Sequence, residues 1–227
     1  VNELSLFSGA GGGLLGTMLL GFTPIGYVEW DDYCQRVLAA RIRDGILPEA
    51  PIFGDIQAFI NDGYAASYTG LVDVVTGGFP CQAWSNAASG KNNAANRWPE
   101  MLAVIGIVQP PLVLAENVDE GAIIMAQGDL AACGYKTRRC KLSAKDLGAD
   151  HNRARWWLIA YPDDKGKLLS EVNAKMALLP EFCSGVWESY TEEPRVDDGD
   201  SNRMDRYRAI GNAQIPLMVA TAWRALT

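Results

Sequence analysis

Histidine is almost missing from this sequence: His151 is the only one in 227 residues. A zinc hydrolase or a Ser-His-Asp enzyme would have to be built around that one ring, so both classes are disfavoured. Cysteine is sparse. Cys34, Cys81, Cys133, Cys140 and Cys183 are odd in number and none forms a C-x-x-C pair, which suits reduced thiols better than bridges or a zinc cage; no metal is expected. No apolar run reaches the roughly 18 to 20 residues of a spanning helix, and the first residues lack a basic stretch followed by an apolar one. The expected address is therefore the cytoplasm, with no membrane partner. Positive charge is also in deficit, with 20 Lys and Arg against 27 Asp and Glu, a net charge of -7. Taken alone, that total argues against a phosphate-rich partner. The basic residues are nevertheless clustered, at Lys136, Arg138, Arg139 and Lys141, at Arg153 and Arg155, and at Arg203, Arg206 and Arg208, while acids gather around 188 to 200. Each cluster reads equally well as a solvated charged surface.

What is present is a chain that is 48% hydrophobic and 21% charged, enough for a full core in one sizeable domain. Short apolar runs alternate with helical patterns: strands over 3–7, 25–29, 52–53, 71–76 and 112–115, helices over 14–20, 32–43, 99–108 and 120–132, then strands near 135–143 and 153–160. That alternation predicts an α/β fold with a mostly parallel sheet. From about Pro162 to Asp205 the periodicity dissolves into acidic sequence containing Trp and Pro, and a last helix runs to about Leu226. We read residues 162–205 as a small inserted lobe and residues 1–161 with 206–227 as the main domain.

In open α/β sheets ligands bind beyond the carboxyl ends of the strands. After the first strand comes Phe7-Ser8-Gly9-Ala10-Gly11-Gly12-Gly13, a turn whose missing side chains let a ligand approach the backbone. After the second comes Glu29-Trp30, an acid placed for a ribose diol beside a ring suited to a base, 20 positions beyond Gly9; a surface acid and a core Trp are the plain alternative. After the third comes Gly54-Asp55-Ile56, whose carboxylate can face an adenine amine or simply cap a helix. After the fourth comes Gly78-Phe79-Pro80-Cys81-Gln82-Ala83-Trp84-Ser85, where a cysteine behind a rigid proline is a candidate nucleophile rather than a packing thiol. After the fifth comes Glu116-Asn117-Val118, expected to bring a carboxyl group near Cys81. His151, Arg153 and Arg155 alternate, which on a strand would project all three to one face.

Together with Arg206-Tyr207-Arg208-Ala209-Ile210-Gly211-Asn212-Ala213, these blocks resemble in order those of the cytosine-5 DNA methyltransferase family, prokaryotic and phage type. The likeness spans residue 4 to about 218 apart from the lobe, and the Pro-Cys-Gln and Glu-Asn-Val blocks, 35 residues apart, are its specific part. The resemblance implies a Rossmann-like S-adenosylmethionine-dependent fold, double-stranded DNA as partner, and S-adenosylhomocysteine as product, in a bacterial or phage-infected cell. It implies that Cys81 adds to C6 of a flipped cytosine while Glu116 holds or protonates N3. Arg155 would meet the base near O2, supported by Arg153 and Asn117, with Gln82 and Ser85 also against substrate. Phe7, Gly9, Gly11, Glu29, Trp30, Asp55, Ile56, Pro80 and Asn212 would line the cofactor site, and 162–205 would correspond to a short target-recognition lobe. The sequence departs from the family pattern at His151, where glutamine is common, at Asp119, where proline is frequent, and at Ala213, where serine is usual.

Three other readings compete. A cytosine-5 RNA methyltransferase acting on tRNA would share the same residues. A non-catalytic relative that binds DNA or a partner protein has no need of the whole set. A dinucleotide oxidoreductase is suggested by Gly11-x-Gly13-x-x-Gly16, but that match begins too far beyond the strand to hold a pyrophosphate.

Overall fold

Leu112–Asn117 is buried at every position, which marks it as an inner strand covered on both faces. It is β5 of a sheet built also from β1 (Asn2–Leu6), β2 (Thr23–Val28), β3 (Ile52–Phe53), β4 (Val74–Gly78), β6 (Tyr135–Leu142) and β7 (Arg155–Pro162). The computed structural model describes residues 1–80, 96–162, 169–170, 173 and 213–227. Among these the strand order is β3-β2-β1-β4-β5-β7-β6. All neighbours from β3 to β5 run parallel, while β7 runs antiparallel to both β5 and β6. The mixed α/β fold with a mostly parallel sheet is therefore as the alternation predicts. Most of the expected lobe at 162–205 lies outside the described residues.

The helices are α1 (Gly12–Leu19), α2 (Asp32–Arg43), α3 (Ile56–Asn61), α4 (Trp98–Val108), α5 (Glu120–Ala132) and α6 (Pro216–Leu226). Their starts are written in the side chains. Asp31, Asp55 and Asp119 each accept a backbone N–H of the following turn, from Cys34, Gln57 and Ala122, satisfying donors that helix geometry leaves unpaired. Asp119, where the family pattern has proline, is thus the cap of α5.

Period-two alternation along the strands separates the two faces. Leu4, Leu6, Val75 and Val113 join Phe59, Met101, Ile105, Ile123 and Leu130 under α3, α4 and α5. Val74, Leu112 and Leu114 turn to Met218, Trp223 and Leu226 of α6, where Trp223 meets Phe22 edge-on at 5.0 Å. Gly16 of α1 has no room for a side chain: a Cβ there would lie 2.5 Å from the Pro216 carbonyl oxygen and 2.6 Å from Val219. Its glycine serves helix packing, which removes the third member of the dinucleotide-like spacing. Among the described residues no helix is long and apolar enough to cross a membrane.

One charge sits inside this core. Glu3 of β1 is fully buried, and its carboxyl oxygens accept from Thr17 Oγ1 at 2.6 Å and Thr76 Oγ1 at 2.5 Å. Burial pushes its pKa from 4.5 up to about 7 against the pull of those two hydroxyls. The folded state therefore binds a proton more tightly than the unfolded chain. The corresponding stability is complete below 4.5 and is lost as the pH rises through about 7, by about 3 kcal/mol in all. Glu3→Gln is expected to flatten that slope, leaving the protein more stable than wild type at mildly alkaline pH. Urea unfolding across this range measures it; parallel curves for the two proteins would contradict the assignment.

Candidate active site

The sheet order reverses between β1 and β4, and the crevice at such a switch point is where an α/β sheet binds ligands. Phe7, the first residue after β1, has φ +52°, a left-handed conformation that costs a non-glycine residue on the order of 1 kcal/mol or more and collects at functional sites. It redirects the chain into the glycine turn. Gly9 (φ +55°) then points its N–H at Glu29 Oε2, 2.6 Å away, while Asp31 donates its own N–H to Glu29 Oε1 at 2.8 Å. Glu29 is 9% exposed; burial raises its pKa and the bonds from Asp31 and Gly9 oppose that rise. A carboxylate clamped by two backbone donors keeps lone pairs for hydroxyl groups and cannot swing away. Beside it Trp30 is 75% exposed, far more than a packing tryptophan. Trp30, Tyr33, Gln35, Arg36, Gly54 and Asp55 line a cleft of about 620 Å³, large enough for a nucleoside.

The second half of the crevice lies between β4 and β5. Register pairs Gly78 with Glu116, and the Asn117 side chain donates to the Phe79 carbonyl oxygen at 2.9 Å. Pro80 accepts from the Arg97 N–H at 3.1 Å, and Phe79 packs on Trp98 at 5.1 Å. Glu116 is 7% exposed. Its Oε1 accepts from Arg155 Nε at 3.0 Å and its Oε2 from Gln214 Nε2 at 3.2 Å. Burial raises the pKa of Glu116, outweighing the opposing pull of Arg155, Gln214 and Arg153. Arg153 donates to the Ala213 carbonyl oxygen at 2.6 Å. A small cavity of about 50 Å³ bounded by Phe7, Gly9, Gly13, Gly78, Glu116 and Gln214 joins this carboxyl to the glycine turn.

The profile of the family described as C-5 cytosine-specific DNA methylase matches residues 1–214. The chain belongs to that family. Among curated relatives it is 23% identical over 98% of its length to the type II methyltransferase M.CviJI of Paramecium bursaria Chlorella virus IL3A. It is 29% identical over 71% of its length to M.NgoPII of Neisseria gonorrhoeae. These alignments span 58% and 48% of those relatives. Among solved structures, the S. pombe Dnmt2 methyltransferase shares the fold with a TM-score of 0.56 at 21% identity, over 74% of this chain and 52% of that one. The sheet is that of the Rossmann-like methyltransferases.

Within this chain, Glu116, Asn117, Arg153, Arg155, Phe7 and Gly9 converge on one end of the sheet; Trp30 and Asp55 line the cleft, and Glu29 stands next to Trp30, held by Gly9 and Asp31. Cys81, Gln82, Ser85 and Asn212 lie outside the described residues. Three expectations need correction or refinement. His151, Arg153 and Arg155 do not share a strand: β7 begins at Arg155, because ladder partners end at Leu142 on β6 and Asn117 on β5. His151 is exposed and contacts Asp150 at 3.2 Å. Ile56 turns its side chain into the core, and Gly11 (φ +88°) has its Cβ direction filled by Leu38 and Arg41, so only the main chain of each is left to face a ligand. The basic residues of β6 are largely taken up within the chain. Arg139 and Lys141 sit 5.8 and 5.6 Å from the Trp156 ring centre, and Arg138 donates to the Leu226 carbonyl oxygen at 3.1 Å. Gln214 was missed from sequence; a lone glutamine before Ile215-Pro216 carries no signal until the fold brings it to Glu116.

Proposed function

We propose that this chain transfers a methyl group from S-adenosylmethionine to C5 of cytosine in double-stranded DNA, with residues 1–161 and 206–227 as the catalytic part and 162–205 as a short recognition lobe. The observation that carries the proposal is the buried Glu116 carboxyl, held by Arg155 and Gln214 beside Gly78, three residues before Cys81. The cleft and the acid next to it fit the donor: Glu29 is a clamped acceptor pair for a ribose diol, and of the lining residues Trp30 is a ring for the adenine face and Asp55 retains one carboxyl oxygen beyond its cap bond for the adenine amine.

Cytosine C5 is a weak nucleophile until something adds at C6. The Cys81 thiolate forms the S–C6 bond, and Glu116, whose burial favours the protonated state, supplies the proton that N3 takes up as the ring charge shifts. Arg155, fixed on Glu116 and on the Ala154 carbonyl, keeps the carboxyl plane still during that transfer. When bound, S-adenosylmethionine supplies an electrophilic methyl group. Once C5 carries the methyl group, its proton passes to solvent water, the C5–H electron pair closes the C5–C6 double bond, the S–C6 bond breaks with Cys81 leaving as thiolate, and Glu116 recovers its proton from N3. In a duplex the base must first leave the stack, at a cost of a few kcal/mol.

Tritiated methyl transfer to duplex plasmid and to tRNA, with bisulfite sequencing of the plasmid, tests the reading. Label in DNA and cytosines protected within a fixed sequence are expected. Label in tRNA alone would overturn the DNA assignment, and cofactor binding with no label in either would make the protein a binding module. Glu29→Ala is expected to weaken S-adenosylmethionine binding by about tenfold or more, since it removes a charged hydrogen-bond acceptor, with DNA affinity unchanged. Calorimetric titration with each ligand checks this, and unaltered cofactor affinity would refute the diol assignment.

A further inference from the structure

We infer that Gln214 is a positioning residue for the Glu116 carboxyl, seated in a socket that Gly12, Gly13 and Gly78 leave open for it; this rests on the cytosine methyl-transfer reading above. Its Nε2 reaches Glu116 Oε2 at 3.2 Å, on the side of the carboxyl opposite Arg155. Both carboxyl oxygens are thus addressed at once and from different elements, which sets the plane of the group.

The socket is built by missing side chains. A Cβ on Gly13 would collide with Gln214 Oε1, and one on Gly12 would collide with the Gln214 carbonyl oxygen. A Cβ on Gly78 would lie 2.6 Å from Glu116 Oε2 and 2.8 Å from Gln214 Nε2, wedging the two apart. Three glycines from two different strand ends therefore make room for a single amide. The backbone on either side is also held. Arg153 bonds the Ala213 carbonyl oxygen at 2.6 Å, and α6 begins just beyond with Pro216 in its first turn, where proline is pre-shaped for a helix. A glutamine between two such anchors delivers its amide to one place. The glycine turn thus has a second task besides admitting a ligand to the backbone: it gives the segment before α6 access to the catalytic carboxyl.

Among the described residues the charged groups facing Glu116 are Arg155 and Arg153, so the loss of Gln214 leaves the carboxyl its cations and removes only a neutral donor. Gln214→Met fills the same volume without that donor. In steady-state methylation it is expected to lower kcat by about tenfold while KM for S-adenosylmethionine changes less than about threefold. Because the donor favours the ionised carboxyl, its removal should move the limb of the pH–rate profile governed by Glu116 to higher pH, whether that limb is the acidic or the alkaline one. Gln214→Glu, which sets a second carboxyl against Oε2, should move the same limb further the same way. A readout independent of turnover is the carbon-13 titration of glutamate-labelled protein, with the Glu116 signal identified by its loss in Glu116→Gln. The Glu116 pKa should rise by about 0.5 or more in Gln214→Met. An unmoved Glu116 pKa in both variants would overturn the inference whatever the activity on DNA. So would a loss confined to KM for the cofactor, which would place Gln214 in the floor of that site instead. Absence of methyl transfer by the wild type, with the Glu116 pKa still shifting in the variants, would strike the methyl-transfer reading and leave the contact standing.

Discussion

Cys81→Ser is expected to lower methyl transfer to duplex DNA by about 10⁴-fold or more, with cofactor affinity and the unfolding midpoint close to wild type. The size follows from the bond the residue must make. A thiol is a few per cent ionised at neutral pH and its thiolate is intrinsically reactive, whereas a serine hydroxyl is essentially un-ionised and has no comparable nucleophile to offer C6. Knocking out a nucleophile in a group that acts as a unit removes most of the unit's effect at once. Two measurements check it. Single-turnover methylation gives the rate, and DNA carrying 5-fluorocytosine at the target should trap wild-type protein as a covalent adduct, because fluorine cannot leave C5 as the proton does. Cys81→Ser should form no adduct. Wild-type protein recovered unmodified from a verified fluorinated target would refute addition at C6.

Glu116→Gln should be nearly as severe for the rate, by about 10² to 10⁴-fold, and unlike Cys81→Ser it should also destabilise the fold. The amide cannot give up a proton as the carboxyl does. It also breaks the local pairing. Arg155, with its side chain 20% exposed, is left with a partner that cannot ionise at any pH, and at Oε2 the new amide nitrogen or the flipped carbonyl must satisfy either Gln214 or Arg155 but not both as well as the carboxyl did. Leaving a largely buried guanidinium with a neutral partner costs on the order of 1 to 3 kcal/mol. Urea unfolding reads the stability loss and single-turnover kinetics the rate. A rate within about tenfold of wild type would remove Glu116 from the proton transfer.

Much of the order of elements was legible because strands such as Leu112–Asn117 are short apolar runs and helices such as Asp32–Arg43 are amphipathic, and helix starts such as Asp31 and Asp119 announce themselves by residue type. The errors were local. The fourth strand reads from sequence as 71–76 but runs Val74–Gly78: Leu71 is 57% exposed in the preceding turn, and the two glycines that look like a stop remain in the ladder, opposite Ala115 and Glu116. Gly78 is glycine because Gln214 and Glu116 occupy the space above it, and Gln214 lies 98 residues from Glu116 along the chain; Gly77 is hemmed in by the Leu6 carbonyl oxygen and Met101. The antiparallel run of β7 was not readable from spacing, since the link 143–154 is about as long as the dozen residues a parallel crossover needs; the structure fills it with a short 3-10 turn at Ala144–Leu147 in place of a crossover helix. Nor was the unpaired start of that strand, because alternation alone does not reveal where a neighbour's ladder ends.

By themselves the residues of this chain determined which chemistry is on offer: a thiol proposed as the nucleophile, a carboxyl, two arginines and a glycine turn, each close in sequence to a strand end, because strand ends are encoded in runs of a few adjacent residues. What only the tertiary structure decided is which groups share a boundary. Glu116 is set between Arg155 and Gln214, and Glu3 is sealed with two hydroxyls, since register and burial depend on every strand at once and no local pattern carries them.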